Sequence, residues 1–131
     1  MLAKITVAEY MSKRLVKLKI DTDVIEAIKL MLNHKITSAP VMDEQGALVG
    51  MFSEKDGMKV VLESAYNQGM SGKVADFMTE ETISVDADTS ILELAETFKG
   101  STVRSFPVYD DGYLVGVVSR SDVLRALTSL K

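Results

Sequence analysis

The chain repeats itself, and that constrains its fold more than any other feature of the sequence. Sixty-seven residues on, Val7-Ala8 falls on Val74-Ala75 and Met11 on Met78. At the same offset Asp21-Thr22 meets Asp88-Thr89, Glu26 meets Glu93, Ser38 meets Ser105, and Pro40-Val41 meets Pro107-Val108. One deletion near Gln45 then brings Gly46, Leu48, Val49, Gly50, Ser53 and Asp56 onto Gly112, Leu114, Val115, Gly116, Ser119 and Asp122. The two prolines of the chain coincide. Residues 4–64 and 73–129 therefore read as two copies of one unit, with residues 65–72 as a linker ending in turn formers.

Each copy carries the same succession of signals. A short apolar segment opens it, Val7 to Met11 or Val74 to Met78, followed by an extended stretch at Leu15–Leu18 or Thr82–Val85. Val24, Ile25, Ile28, Met31 and Leu32 lie at helical spacing. Asp23 and Ser90 stand where such a helix needs an N-cap, each with a glutamate three residues on. Next come strand-like Ser38–Met42 and Ser105–Tyr109, whose prolines suit an edge or a strand start. The turns Asp43–Gly46 and Asp110–Gly112 lead into strands Ala47–Phe52 and Tyr113–Val118, the second through an Asp-Gly hairpin signal. Helices from Ser53 to about Ser64 and from Ser119 to about Ser129 close the copies.

The expected class is α+β, two strand-helix-strand-strand-helix repeats. One copy of about 60 residues buries too little apolar area to be more than marginal alone. Two copies packed sheet to sheet about a pseudo-twofold axis would cover it and set equivalent residues around a shared cleft.

Composition narrows the chemistry. The 131 residues are 47% hydrophobic with only two prolines, which excludes a disordered tail. A net charge of -4 lacks the basic footprint of a nucleic-acid binder. With no cysteine and one histidine, His34, thiolate metal sites, cysteine nucleophiles and multi-histidine sites fall away. No signal-peptide core or membrane-length apolar run is visible, so a cytoplasmic protein with no membrane partner is expected. No nucleophile–base pair can be drawn, so an enzyme, a catalytic cofactor and a metal are not expected.

The most informative pair of segments is Gly50-Met-Phe-Ser-Glu-Lys-Asp56 and Gly116-Val-Val-Ser-Arg-Ser-Asp122. Each stands where a strand turns into a helix. Glycine admits a ligand or another backbone at close range. Serine at an N-cap sits among free N–H groups that favour a phosphate. A carboxylate three residues on accepts two hydrogen bonds at once, which suits a ribose diol. The same Ser-x-x-Asp pattern is also a capping arrangement, with aspartate in the place of glutamate. The two readings are compatible. An adenine slot would draw on Val16, Lys17 and the Ala39-Pro40 pair in one copy, and on Ile83, Ser84 and the Phe106-Pro107 pair in the other.

The repeat resembles the CBS domain, the cystathionine-β-synthase-type module, over nearly the whole chain, as a stand-alone tandem pair or Bateman module. The landmarks are the opening Met, the Pro-Val strand, the turn glycine and the Gly-x-x-Ser-x-x-Asp corner, in that order. The resemblance implies a regulatory, ligand-sensing module for adenosine compounds (AMP, ADP, ATP or S-adenosylmethionine) in the clefts between repeats. It implies phosphate at Ser53 and Ser119 and ribose at Asp56 and Asp122. It further implies a disc-like homodimer and a conformational signal to a separate regulated protein. A ligand-free dimerisation or interaction scaffold is the alternative.

The two sites are not expected to be equal. Arg104 and Arg120 stand in the second copy where the first has Thr37 and Glu54, although Lys55 is near. Arginine can give a phosphate two parallel bonds and glutamate repels it, which favours the second site. Most arginines, however, are simply solvated. His34 suits a helix C-terminus. The internal methionines suit core filling or a partner-facing surface. Tyr66 falls in the linker, where it could cover the module or meet a partner. Asp43-Glu44 and Asp110-Asp111 read as solvated turns rather than a cation site.

Overall fold

The computed structural model describes residues 2–67, 72–80 and 83–129. Part of the expected linker and Thr82 lie outside them. In chain order the elements are α1 (Val7–Tyr10), β1 (Leu18–Lys19), α2 (Val24–His34), β2 (Ser38–Met42), β3 (Leu48–Ser53), α3 (Glu54–Asn67), β4 (Val85–Asp86), α4 (Ile91–Lys99), β5 (Ser105–Asp110), β6 (Tyr113–Ser119) and α5 (Arg120–Thr128). The class is α+β, with two three-stranded sheets ordered β1-β2-β3 and β4-β5-β6. In each, a parallel pair is followed by an antiparallel hairpin.

Local chemistry starts and stops these elements. Asp23 accepts the N–H groups of Ile25 and Glu26 at the head of α2, and Ser90 accepts that of Glu93 at the head of α4. The α2 helix ends on Lys35 in the left-handed region, where its N–H reaches the last-turn carbonyls. Asp110 pairs with Tyr113, leaving Asp111 and Gly112 as a two-residue loop with φ of 52° and 83°. Two positive φ values define the type I′ turn that the Asp-Gly signal predicts. The first hairpin is longer, and Asp43 ties it by accepting from the N–H groups of Gln45 and Ala47.

Three expectations change. The extended stretches pair later than their residues suggest, with β1 beginning at Leu18 and β4 at Val85. Helix α3 runs on to Asn67, so Tyr66 belongs to the helix and not to a linker; it is 82% exposed. The proline strands β2 and β5 are central rather than edge strands. They tolerate proline because Pro40 and Pro107 stand opposite Met51 and Val117, whose N–H and C=O groups turn away to Thr79 and Ser12. On the other side, β1 and β4 reach only as far as Val41 and Val108. No ladder bond is therefore asked of the missing N–H.

The compact units do not coincide with the sequence copies. One unit is Val16–Thr82; the other joins Met1–Leu15 to Ile83–Lys131. Each opening segment is thus built into the unit that holds the rest of the other copy. Val74 is fully buried in a core with Leu18, Val24, Ala27, Val41 and Phe52. Its repeat partner Val7 is fully buried with Ile91, Leu94, Phe106, Val108 and Val118. Backbone bonds match as well. Val74 N–H donates to Thr22 and Val24 N–H to Gly72, while Val7 N–H donates to Thr89 and Ile91 N–H to Ile5. Burying one valine contributes roughly 1.5–3 kcal/mol, so each unit leans on its exchanged segment.

Candidate functional site

The Gly-x-x-Ser-x-x-Asp corner forms the same way in both units. The glycine is explained by a backbone passing close. A Cβ on Gly50 would lie 2.7 Å from the carbonyl oxygen of Thr79, and one on Gly116 would meet the carbonyl of Ser12. Those carbonyls belong to antiparallel bridges, Met51 with Thr79 and Ser12 with Val117. The exchanged segment thus runs along β3 or β6 up to the corner. Each glycine thus admits a neighbouring backbone at close range.

The serines end β3 and β6 and the aspartates fold back on them. Asp56 Oδ2 accepts from the Ser53 N–H at 2.9 Å and from its hydroxyl at 3.0 Å. Asp122 Oδ2 accepts from the Ser119 N–H at 2.8 Å, and Ser119 Oγ accepts from the Asp122 N–H. This is a reciprocal capping box closed by aspartate. The first amide of each helix is also taken: Glu54 N–H donates to the Thr37 carbonyl and Arg120 N–H to the Arg104 carbonyl. The capping reading therefore describes both corners, and the aspartates turn toward their own serines.

Each aspartate holds a cation one helical turn on. Lys59 Nζ lies 3.2 Å from Asp56 Oδ1, and Arg125 Nη2 pairs with Asp122 Oδ1. Both ties extend to the exchanged segment. Thr79 Oγ1 donates to Asp56 Oδ1 at 3.4 Å, and Arg125 Nη2 donates to the Tyr10 carbonyl at 3.1 Å. The sequence reading missed Lys59, Thr79, Arg125 and Tyr10. Its signal was there: Lys59 and Arg125 are repeat-equivalent and lie three residues past the motif aspartate, the spacing of a helix-surface pair.

Arg120 does not stand free for a phosphate. Its Nε donates to the Val103 carbonyl, and its Nη2 donates to the carbonyls of Phe98 and Ser101. Its guanidinium lies 5.3 Å from the centre of the Phe98 ring. It closes the C-terminal end of α4, where carbonyls lack helical partners. Arg104, exposed, precedes β5.

The remaining candidates divide by burial. Val16 is half-buried and Lys17 exposed ahead of β1; Ile83 and Ser84 are exposed ahead of β4. Ala39, Pro40 and Pro107 are buried within β2 and β5. Phe106 is a core residue stacked on Phe98, ring centres 4.6 Å apart. His34 caps its own helix end through Nδ1 at 2.9 Å from the Leu30 carbonyl oxygen. Among the described residues no cluster of acidic or histidine side chains could hold a metal ion, and no helix is long and apolar enough to cross a membrane.

Comparison with known proteins places this architecture. The chain is 30% identical to the uncharacterized protein MJ1426 of Methanocaldococcus jannaschii, over 82% of both chains. It is 33% identical to the mitochondrial CBS domain-containing protein CBSX3 of Arabidopsis thaliana, over 82% of this chain but only 53% of that one. The crystal structure of Arabidopsis thaliana CBSX2 in complex with AMP superposes with a TM-score of 0.79 at 30% identity, covering 95% of this chain and 97% of that one. The family model for the CBS domain matches twice, at residues 7–63 and 74–129, and the chain belongs to the CBS domain family as a tandem pair.

Proposed function

We propose that the protein is a regulatory module that binds an adenosine compound at its Ser-x-x-Asp corners and passes the binding event to a separate partner protein. The observation that carries this reading is the corner itself. Two units build it alike, with a half-buried serine hydroxyl and a carboxylate at a helix start. A relative 30% identical over almost the whole chain has been crystallised with AMP. A ligand at the corner replaces bonds that the capping box now makes within itself, which is the differential contact a switch requires. The module acts without catalysis of its own and in the cytoplasm.

A homodimer belongs to the same reading. Met58, Val61, Leu62 and Tyr66 form an exposed apolar stripe on α3, and Leu124 and Leu127 repeat it on α5. Such stripes mark interaction faces. Leu62→Glu together with Leu124→Glu is expected to shift the sedimentation coefficient from dimer to monomer. A variant sedimenting like the unchanged protein would refute those faces.

Thermal shift with AMP, ADP, ATP, S-adenosylmethionine and NAD tests the ligand reading. A ligand at 100 times its Kd stabilises the fold by about 2.7 kcal/mol. That corresponds to a rise of roughly 10 °C in Tm for a chain of this size. No shift with any compound would leave the ligand-free scaffold, the reading that the exposed stripes on α3 and α5 favour.

A further inference from the structure

The segments that lead into the outer strands β1 and β4 are repeat-equivalent but carry opposite charge. Residues 13–19 hold Lys13, Arg14, Lys17 and Lys19 and no acid, whereas residues 80–86 hold Glu80, Glu81 and Asp86 and no base. Three positions reverse sign outright: Lys13 falls on Glu80, Arg14 on Glu81 and Lys19 on Asp86. All four cations are exposed, as are Glu80 and Asp86; Glu81 lies outside the described residues. Lys17 and Lys19 flank buried Leu18, so strand alternation sets both on the face away from it. Among the described residues, Lys13, Lys17, Lys19, Glu80 and Asp86 make no ion pair within the chain. Charge on an outer strand also guards its edge against stray pairing. That accounts for a charge on each edge and leaves the change of sign unexplained.

We propose that residues 13–19 of one chain meet residues 80–86 of a second copy of this chain, so that the two chains pair antiparallel, first repeat against second. A twofold pair is self-complementary: when the basic segment of one chain meets the acidic segment of the other, the reverse contact forms as well. Both contacts are attractive. Matching each segment with its own counterpart would instead set four cations against four and three acids against three. The apolar stripes do not make this choice, since Met58 and Val61 are the repeat counterparts of Leu124 and Leu127 and all four are exposed. Charge therefore sets the orientation, and apolar area supplies the affinity. A polyanionic ligand would be drawn to the basic segment but gives the acidic one no role. This assignment rests on the homodimer reading and adds which segments meet in it.

Sedimentation velocity on the full chain tests it. Lys13→Glu with Lys19→Asp, and Glu80→Lys with Asp86→Lys, each reverse charges in one segment alone. Each double variant should raise the dimer Kd about tenfold at low salt, since like charges brought together oppose association. Roughly 1 M salt, where charges are screened within about 3 Å, should remove most of that difference. The two variants mixed should form a heterodimer tighter than either homodimer, because the untouched acidic segment of one meets the untouched basic segment of the other. The chain has no cysteine, so introduced thiols report the orientation directly. Lys13→Cys mixed with Glu80→Cys should give a disulfide-linked dimer of the two under mild oxidation, and neither variant alone should. Absence of that mixed product, linkage of either variant to itself, or reversed-charge variants that dimerise as tightly as the unchanged chain would each overturn the orientation alone. Unchanged dimer affinity with heparin retention lost in the first variant would overturn it in favour of a polyanion. An unchanged chain that sediments as a monomer at every concentration would overturn the homodimer reading and this proposal with it.

Discussion

The units Val16–Thr82 and Met1–Leu15 with Ile83–Lys131 are two answers to one problem, built from nearly the same residues. Both pair a two-residue parallel strand with a hairpin, both cap a helix with Ser-x-x-Asp, and both bury one valine of an opening segment. They differ in continuity. The first is an unbroken run of chain; the second is assembled from two distant pieces. They differ also in side-chain detail at the corner, where Thr79 and Lys59 face Ser12 and Arg125 as counterparts. Duplication thus fixes the backbone scaffold and leaves a few side chains around each corner to distinguish the two.

Continuity gives the largest expected effect. A fragment of residues 16–82 contains every member of the Leu18–Val74 core, whereas residues 4–64, the repeat as sequence alone delimits it, lack Val74. Fragment 16–82 is expected to unfold cooperatively in urea by circular dichroism and fragment 4–64 to show no transition. Residues 83–131 lack Val7 and should gain structure only when residues 1–15 are added as a peptide. Equal behaviour of 4–64 and 16–82 would mean that the exchanged segment contributes little.

The next effect concerns the close approach of that segment. Gly50→Ala and Gly116→Ala each drive a Cβ into a backbone carbonyl, which has no rotamer by which to withdraw. Overpacking of this kind costs about 1–3 kcal/mol. Gly116, whose Cβ would approach closer, should lose more, read as the urea midpoint at constant m-value. A reversed order would show that the Ser12 bridge yields more readily than the Thr79 bridge.

How much of this was readable beforehand follows the range of the interactions. Helix caps, the Asp-Gly turn and the helical periods are local, and Asp23, Ser90 and Asp111-Gly112 announced them. The Pro-Val strands were visible, but their central place was not, because it depends on where β1 stops and where Thr79 bonds. The exchange of Val7 and Val74 was hidden for a physical reason. The two segments are so alike that either fits either core, and identity along the chain says nothing of which one is filled. The corner was legible as a motif. Its hydrogen-bond count was not, since Thr79 lies 23 residues from Asp56 and reaches it only through the bridge to Met51. For Arg120 the charge was visible in the sequence, and the carbonyls at the end of α4 to which it donates were not.

The smallest effect lies in the hairpins, where the two units again differ. Gly46 and Gly112 have φ of 82° and 83°, and a Cβ on either would meet open space. Any cost of Gly→Ala there is therefore backbone strain alone, about 1 kcal/mol. The flanks decide which unit absorbs it. In the β2–β3 turn the Asp43 carboxylate already bonds two amides and can hold the loop as it adjusts. In the β5–β6 turn Asp111 is itself at positive φ beside Gly112, so the strain falls on a two-residue loop with no slack. Gly112→Ala should lower Tm more than Gly46→Ala, and Asp43→Ala should bring the Gly46→Ala variant level with it. Should Gly46→Ala cost as much with Asp43 in place, that carboxylate would have no share in holding the longer turn.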